Sequence, residues 1–231
     1  MVSRTYTDFK AFLDVFEKRQ KDNYFQLFRG QPCNKSLLPK IARKDPTKDT
    51  AQKEREMLAE LRRRGTLFIG KELTDDWDLM VYAQHFGMAT RLLDWTSNPL
   101  TALWFACQDG DTSNSGYVYL LNVGTDLLLD RGTQKDPFAI ARTRVFKPNL
   151  NNNRIVAQSG WFTAHRYSKS ATRFVALERN PDVTRELIQI EIPGGLKYSV
   201  IKTLDVLGVN NQSLFADVEG VCKHINWLHK A

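Results

Sequence analysis

The stretch AQHFGMATRLLDWTSNPLTALWFA, residues 83–106, decides how the rest of the chain is interpreted. Polar, chemically capable side chains interrupt a segment that is otherwise apolar enough for a protein core. Core segments usually keep polar residues at turns, because a buried polar group needs a hydrogen-bond partner. The polar side chains of this stretch therefore need protein partners or a ligand; they are Gln84, His85, Arg91, Asp94, Thr96 and Ser97.

The stretch divides into a helix end, a short strand and a helix start. Gly87 suits the left-handed C-terminal cap of a helix that Thr74 begins, so Gln84 and His85 fall in its last turn. Residues 90–96 predict a strand, and Pro99 opens an apolar helix. The polar residues at this junction thus lie between a strand end and a helix N-terminus, which is a favoured place for anions.

The remaining elements follow from periodicity and turn residues. Thr7 is predicted to cap a first helix with an aromatic stripe at Phe9, Phe12, Leu13 and Phe16. Further helices are expected from Asp49 or Thr50 to Gly65, over 198–207, and from a Ser213 cap with Leu214, Val218, Val221, Cys222 and Ile225 on one face. Strands are expected near 24–30, 117–123, 155–165 and 187–192, with an irregular loop over 31–48.

This order of elements predicts an α+β fold with a small mixed or antiparallel central sheet flanked by helices. The length of 231 residues fits a single domain over 1–231. Residues 124–153 are rich in Asp, Arg, Asn and Pro and predict a long loop or lid, and residues 196–231 form a C-terminal helical part.

The charge, the apolar runs and the cysteines of the sequence restrict the partners and the location that we expect for this protein. The formal charge of +7 is compatible with a polyanionic partner. No apolar run approaches the roughly 18 residues of a membrane span, and the N-terminus lacks a secretory signal, so we expect a cytoplasmic protein with no membrane partner. The three cysteines have no Cys-x-x-Cys spacing and are interpreted as reduced, mostly buried thiols; they are Cys33, Cys107 and Cys222.

Motifs of the common nucleotide hydrolases, zinc proteases and α/β hydrolases are absent from the sequence, and its four histidines have no metal-ligand spacing. We therefore expect no metal. A phosphate-capable set remains, consisting of Arg29, Arg91, Thr96 and Ser97, with Asp94 and Gln158 as orienting groups. Structural alternatives stay open: Arg29 in an ion pair, and Asp94 paired with Arg91 or capping the next helix.

Three motifs together resemble the FRG-domain family. They are Phe28-Arg29-Gly30, the stretch 83–106 quoted above, and RIVAQSGWFTAH at 154–165, which is similar to the family's Gln-x-Gly-x-Phe segment. The resemblance covers most of the chain. Phe86 departs from it, since family members often carry a second histidine there. The resemblance implies bacterial or phage-related proteins, some of them toxins or defence proteins.

The chain also resembles ADP-ribosyltransferases more distantly, which implies NAD as substrate and a split central sheet. By this resemblance Arg29 holds the pyrophosphate or ribose, Thr96 braces the nicotinamide half and Gln158 lies on the catalytic strand. These transferases usually need a glutamate, and Gln158-Ser159-Gly160 supplies none, so Asp94, His165 or Glu191 would substitute, or catalysis is lost. The candidate catalytic residues are Arg29, Asp94, Gln158 and His165; the candidate NAD-binding residues are Arg29, Gly30, Gln84, His85, Arg91, Trp95, Thr96 and Ser97.

Three functions follow as hypotheses. The first is an NAD-dependent ADP-ribosyltransferase-like toxin or phage-defence effector that modifies a macromolecule, either nucleic acid or protein. The second is a nucleotide or nucleic-acid binding module without turnover. The third is a protein-interaction partner in a toxin–antitoxin or defence system, which uses the aromatic first helix.

Overall fold

The computed structural model describes residues 1–17, 24–70, 73, 75–149 and 153–230. Its helices are α1 Phe9–Glu17, α2 Ala51–Arg64, α3 Asp76–His85, α4 Pro99–Cys107, α5 Asn153–Ala157, α6 Lys197–Val206, α7 Asn211–Phe215 and α8 Val218–His229. Its strands are β1 Val2–Thr5, β2 Tyr24–Gln31, β3 Leu92–Thr96, β4 Gly116–Gly124, β5 Arg144–Phe146, β6 Gly160–Ala164, β7 Tyr167–Ser168, β8 Arg173–Phe174 and β9 Leu187–Ile192. No helix in these ranges is both long and apolar enough to cross a bilayer.

The main sheet has the strand order β1-β9-β4-β2-β3-β6-β5 within the described residues. The β1–β9 pair is parallel and the other pairs are antiparallel. Helices flank this sheet, so the α+β prediction is confirmed. Strand β1 was not predicted from the sequence, because its four residues are all exposed and carry no alternating apolar pattern.

The core divides between the two sides of the sheet. On one side α1, α4 and α6 pack against β2, β4 and β9, with buried Phe12, Leu103 and Leu204 among the contacts. On the other side the core residues of β2 and β4 meet Leu37, Leu177 and Val183 from loops. A third cluster joins α2 and α3 to β3, β5 and β6. The aromatic stripe predicted for α1 is therefore confirmed as a packing face.

Most predicted helix boundaries agree with the structure, but several capping residues differ from the prediction. Asp8 accepts the backbone N–H of Ala11, so Asp8 and not Thr7 caps α1. Asp75 accepts the N–H of Asp78 and caps α3; the predicted cap, Thr74, lies outside the described residues. Gly87 adopts a positive φ of 90° after α3, as predicted for a left-handed helix end.

The strand predicted over 155–165 is confirmed for 160–164 and wrong for the residues before it. Residues 153–157 form α5, and Ser159 takes a left-handed φ of 49° before β6 begins at Gly160. Val145 and Phe146, predicted to belong to a long loop or lid, are buried in β5 at the sheet edge. Residues 144–146 of the predicted loop therefore belong to the sheet.

The predicted last helix is also divided. Asn210 and Ser213 form a capping box that begins α7, Ala216 turns the chain with φ of 50°, and Asp217 caps α8. Leu214 is buried, but the apolar residues predicted to share its face are exposed; they are Val218, Val221, Cys222 and Ile225. Two short helices replace one because Ala216 breaks the helical hydrogen-bond series.

The cysteines are free, and their environments differ. Cys107 is buried in α4, where burial raises the pKa of its thiol to about 12. Cys33 is partly buried and Cys222 is exposed on α8, so the expectation of mostly buried thiols holds only for part of the set.

Candidate functional site

The central sheet opens between β2 and β3. These strands share a single residue pair, Phe28 with Thr96, whereas β2 pairs with β4 along its whole length. Beyond Phe28 the two strands separate, and the Arg29 guanidinium enters the gap. Its Nη1 donates to the Asp94 carbonyl oxygen at 2.8 Å, in the place of a sheet hydrogen bond.

A cavity of about 430 Å³ lies at this gap. The strands contribute its residues Phe28, Arg29, Gly30, Gln31, Asp94, Trp95, Thr96 and Phe162; the helices contribute Val81, Gln84, His85, Thr101, Phe105, Arg154, Ile155 and Phe215; and the intervening segments contribute Pro32, Lys35, Arg43, Gln108 and Gln158. The volume is within the range of about 300–1,000 Å³ that is typical of small-molecule sites.

Among the described residues that line the cavity, Asp94 is the one that carries a carboxylate. Its side chain is 60% exposed, and its Oδ2 lies 3.7 Å from Arg29 Nη1. Gln84 Nε2 donates to Asp94 Oδ1 at 2.5 Å. Gln84 is itself oriented by the Thr90 hydroxyl, which donates to its Oε1. The last turn of α3 thus fixes a carboxylate that remains open to solvent.

Four cationic side chains border the cavity: Arg29, Lys35, Arg43 and Arg154. Burial lowers the pKa of the Arg29 guanidinium; the Asp94 carboxylate opposes this shift and Arg43 adds to it. Burial also lowers the pKa of His85, and the charge of Arg154 lowers it further, which favours a neutral imidazole at pH 7. The cavity therefore has an excess of positive charge and suits an anionic ligand.

One face of α4 forms an apolar wall with polar ends. Thr101, Phe105 and Gln108 follow the i, i+4, i+7 spacing of a helix face and all border the cavity. Phe215 of α7 lies near this wall, with its ring centroid 6.4 Å from that of Phe105. Arg154 holds its guanidinium 4.6 Å from the Phe215 ring centroid. Aromatic surface and positive charge are therefore adjacent, as a planar phosphorylated ligand requires.

Eight of the predicted site residues meet at this cavity: Arg29, Gly30, Gln84, His85, Asp94, Trp95, Thr96 and Gln158. Arg91, Ser97 and His165 do not border it. Ser97 is exposed and its N–H donates to the Ser159 carbonyl. Asn98 caps α4 with its own side chain, and residues 97–100 do not border the cavity, so the expected anion site at this helix N-terminus is not formed there.

Arg91 is a buried structural residue. It is 1% exposed, and its Nη2 donates to Glu54 Oε1 at 2.9 Å. Glu54 is itself only 2% exposed. The prediction that Arg91 belongs to the phosphate-binding set therefore has no support in the geometry, because its guanidinium is engaged away from the cavity.

His165 follows β6 and is 1% exposed. Burial lowers the pKa of its imidazole to about 3, and the charges of Arg29 and Arg91 act in the same direction. Its Nε2 lies 3.1 Å from the Thr163 hydroxyl oxygen, which also accepts the indole N–H of Trp95. His165 thus supports the packing of Trp95, and in this position it cannot contact a ligand in the cavity directly.

Three other predicted site residues, Gly30, Thr96 and Gln158, make contacts within the protein that limit the roles they can have in the cavity. A Cβ at Gly30 would lie 1.9 Å from the Ala102 carbonyl oxygen, so Gly30 permits close packing of β2 on α4 and not the approach of a ligand to the backbone. Thr96 donates its hydroxyl to the Gln158 carbonyl and is already engaged. Gln158 follows α5, and its Nε2 donates to the Leu214 carbonyl at 3.2 Å, so it does not lie on a catalytic strand.

Sequence reasoning missed several lining residues. Lys35 and Arg43 come from an irregular segment in which no periodicity indicates direction. Phe215 depends on the unexpected break between α7 and α8. The spacing of Thr101, Phe105 and Gln108 was readable as one helix face, but the sequence did not indicate that this face meets a cavity.

The FRG domain model matches residues 25–115. Residues 25–115 are therefore similar to the FRG domain, as the Phe28-Arg29-Gly30 motif and the 83–106 stretch suggested. The match covers less than half of the chain and ends before the 154–165 segment, so the part of the cavity formed by Arg154, Gln158 and Phe215 lies outside it. No curated protein and no solved structure matches the chain significantly.

Proposed function

We propose that the cavity binds a phosphorylated nucleotide and that this nucleotide is NAD. The protein then transfers the ADP-ribose group of NAD to a macromolecule. The observation that carries this proposal is that four cationic side chains and one oriented carboxylate, Asp94, border the same cavity among the described residues. Arginine forks match phosphate oxygens in geometry and charge, and the neighbouring aromatic walls suit a planar base. The ADP-ribosyltransferase resemblance adds NAD as the particular nucleotide.

Asp94 has the central role in the proposed reaction. The glycosidic C1′–N bond of NAD breaks, and its electron pair leaves with neutral nicotinamide. The remaining ribosyl cation is stabilised by the Asp94 carboxylate, which Gln84 and Arg29 hold in place. An acceptor hydroxyl then forms the new C1′–O bond and gives its proton to that carboxylate. Asp94 thus replaces the glutamate that the resemblance leads one to expect.

The target and biological setting are proposals of the same kind. The formal charge of +7 favours a polyanionic target through counterion release, so nucleic acid is the first macromolecule to test. A toxin or phage-defence effector with a cognate antitoxin is the setting that the FRG resemblance suggests.

The test combines binding and turnover. ADP-ribose at 100 times its dissociation constant stabilises a folded protein by about 2.7 kcal/mol, which raises the melting temperature of a chain of this size by roughly 5–10 °C. Incubation of the protein with NAD and cell extract should release nicotinamide and label a macromolecule. No thermal shift and no nicotinamide would refute the proposal.

The variant Asp94→Asn tests the proposed catalytic role of Asp94 separately from ligand binding. We expect nicotinamide release to fall about 100-fold or more, while ADP-ribose still binds. Asp126→Asn is a matched control, because Asp126 is 69% exposed and lies 3.6 Å from Arg142, outside the cavity. Equal activities of the two variants would contradict the role of Asp94.

A binding module without turnover is the second candidate. It is favoured by the contact of Asp94 with Arg29, which partly neutralises the carboxylate that catalysis requires. This function predicts a thermal shift with ADP-ribose but no nicotinamide release. Arg43→Met should weaken this binding, whereas Arg142→Met should leave it unchanged.

A further inference from the structure

Thr101 carries a buried hydroxyl with no hydrogen-bond partner. The residue is 1% exposed, borders the cavity and lies in the first turn of α4. Within the described parts of the chain, its Oγ1 contacts no donor or acceptor. Thr96 borders the same cavity but differs, because its hydroxyl donates to the Gln158 carbonyl and accepts the N–H of Asn98.

An unpaired buried hydroxyl destabilises the free protein, since it has lost water without gaining a partner. Valine would occupy nearly the same space without this penalty. The Thr101 hydroxyl therefore becomes favourable only when another molecule supplies a hydrogen bond. Arg29 also borders the cavity, and its buried Nε has no hydrogen-bond partner among the described residues. Two residues that line one cavity therefore each carry a buried polar atom with no protein partner among the described residues.

The surroundings of Thr101 indicate which part of a ligand it meets. Phe105 lies one helical turn further along the same face and offers a flat apolar surface. Gln108 ends this face at an exposed position, about 10 Å along the helix axis from Thr101. That span matches a nucleoside, with the ring at the buried end and the sugar towards solvent. Arg29 and Arg43 border the same cavity and supply positive charge for the phosphate groups.

We propose that Thr101 determines specificity by hydrogen-bonding the polar edge of the heteroaromatic ring of a bound nucleotide, while the face of that ring packs on Phe105. This inference rests on the proposed nucleotide-binding function and adds to it the residue that recognises the base. Adenine and nicotinamide share the required chemistry, namely a flat ring with hydrogen-bonding groups at its edge, and separate ligands distinguish them.

Calorimetry with wild type, Thr101→Val and Thr101→Ser tests the inference, with ADP-ribose, nicotinamide mononucleotide and pyrophosphate as ligands. We expect Thr101→Val to weaken binding of the ring-bearing ligand about tenfold, since one hydrogen bond is lost. Pyrophosphate should bind equally to all three proteins, and Thr101→Ser should retain wild-type affinity. The urea midpoint of Thr101→Val should be unchanged or higher, which a purely structural hydroxyl would not produce.

Thr203→Val provides the matched control, because Thr203 is exposed on α6 and its hydroxyl donates to the Ser199 carbonyl within that helix. Its ligand affinity should equal that of wild type. Equal affinity of Thr101→Val and wild type for both nucleotides, or an equal loss for pyrophosphate, would overturn the inference and leave the proposed function intact. Failure of wild type to bind any nucleotide would overturn both.

Discussion

Glu54→Gln should strongly destabilise the protein, because it leaves the Arg91 guanidinium buried without its counter-charge. Both side chains are almost completely enclosed, with 2% of Glu54 and 1% of Arg91 exposed. The carboxylate accepts the backbone N–H of Arg91 at 2.9 Å, its Nη2 at 2.9 Å, and the Thr50 hydroxyl at 2.7 Å. Glutamine removes the charge and turns an N–H₂ group towards one of these donors.

Breaking one partner of such a buried pair costs about 3–5 kcal/mol. With an m-value of about 2–3 kcal/mol/M, the urea midpoint should fall by roughly 1–2 M. Glu56→Gln is the control, since Glu56 lies two residues further along α2, is exposed, and accepts only from Gln52 among the contacts described. Urea titration followed by tryptophan fluorescence measures both variants.

The double variant Glu54→Leu with Arg91→Met separates loss of the pair from an unpaired charge. Because removing both charges eliminates the desolvated guanidinium, the double variant should be more stable than Glu54→Gln. It should also bind ADP-ribose as wild type does. Equal urea midpoints for Glu54→Gln and Glu56→Gln would show that the structural role assigned to the Glu54–Arg91 pair is wrong. Loss of ADP-ribose binding by the folded double variant would show that Arg91 belongs to the ligand site.

Two further predictions concern packing and pH. Gly30→Ala should lower the free energy of unfolding by about 1–3 kcal/mol or more, because the new Cβ would meet the Ala102 carbonyl oxygen at 1.9 Å. The control Gly195→Ala adds a Cβ with no atom within 4 Å. Equal urea midpoints for the two variants would contradict this prediction. Because of His165, the free energy of unfolding should decrease as the pH is lowered. Its folded pKa of about 3 is below the ordinary value of 6.5, so between these values the unfolded state binds the extra proton, and stability decreases by about 1.4 kcal/mol per pH unit as pH falls through this range. His165→Asn should reduce the slope of stability against pH between 6 and 4; an unchanged slope would show that the folded imidazole titrates normally.

The sequence by itself determined the local elements around residues 83–106. Pro99 with Asn98 sets the start of α4, Gly87 sets the end of α3, and both effects act through the backbone of a few neighbouring residues. Gln84, His85 and Asp94 could therefore be placed near one another, and the Phe28-Arg29-Gly30 motif could be joined to them through the family resemblance.

Only the tertiary structure decided which polar residues face the cavity. Arg91 and Asp94 are three positions apart, yet Arg91 is paired with Glu54, 37 residues away along the chain, and Asp94 remains open to solvent. The gap between β2 and β3 exists because these two strands share only one residue pair, Phe28 with Thr96, although β2 pairs with β4 on its other edge along its whole length. Strand pairing and the burial of charge depend on partners distant in sequence, and for that reason no local pattern contains them.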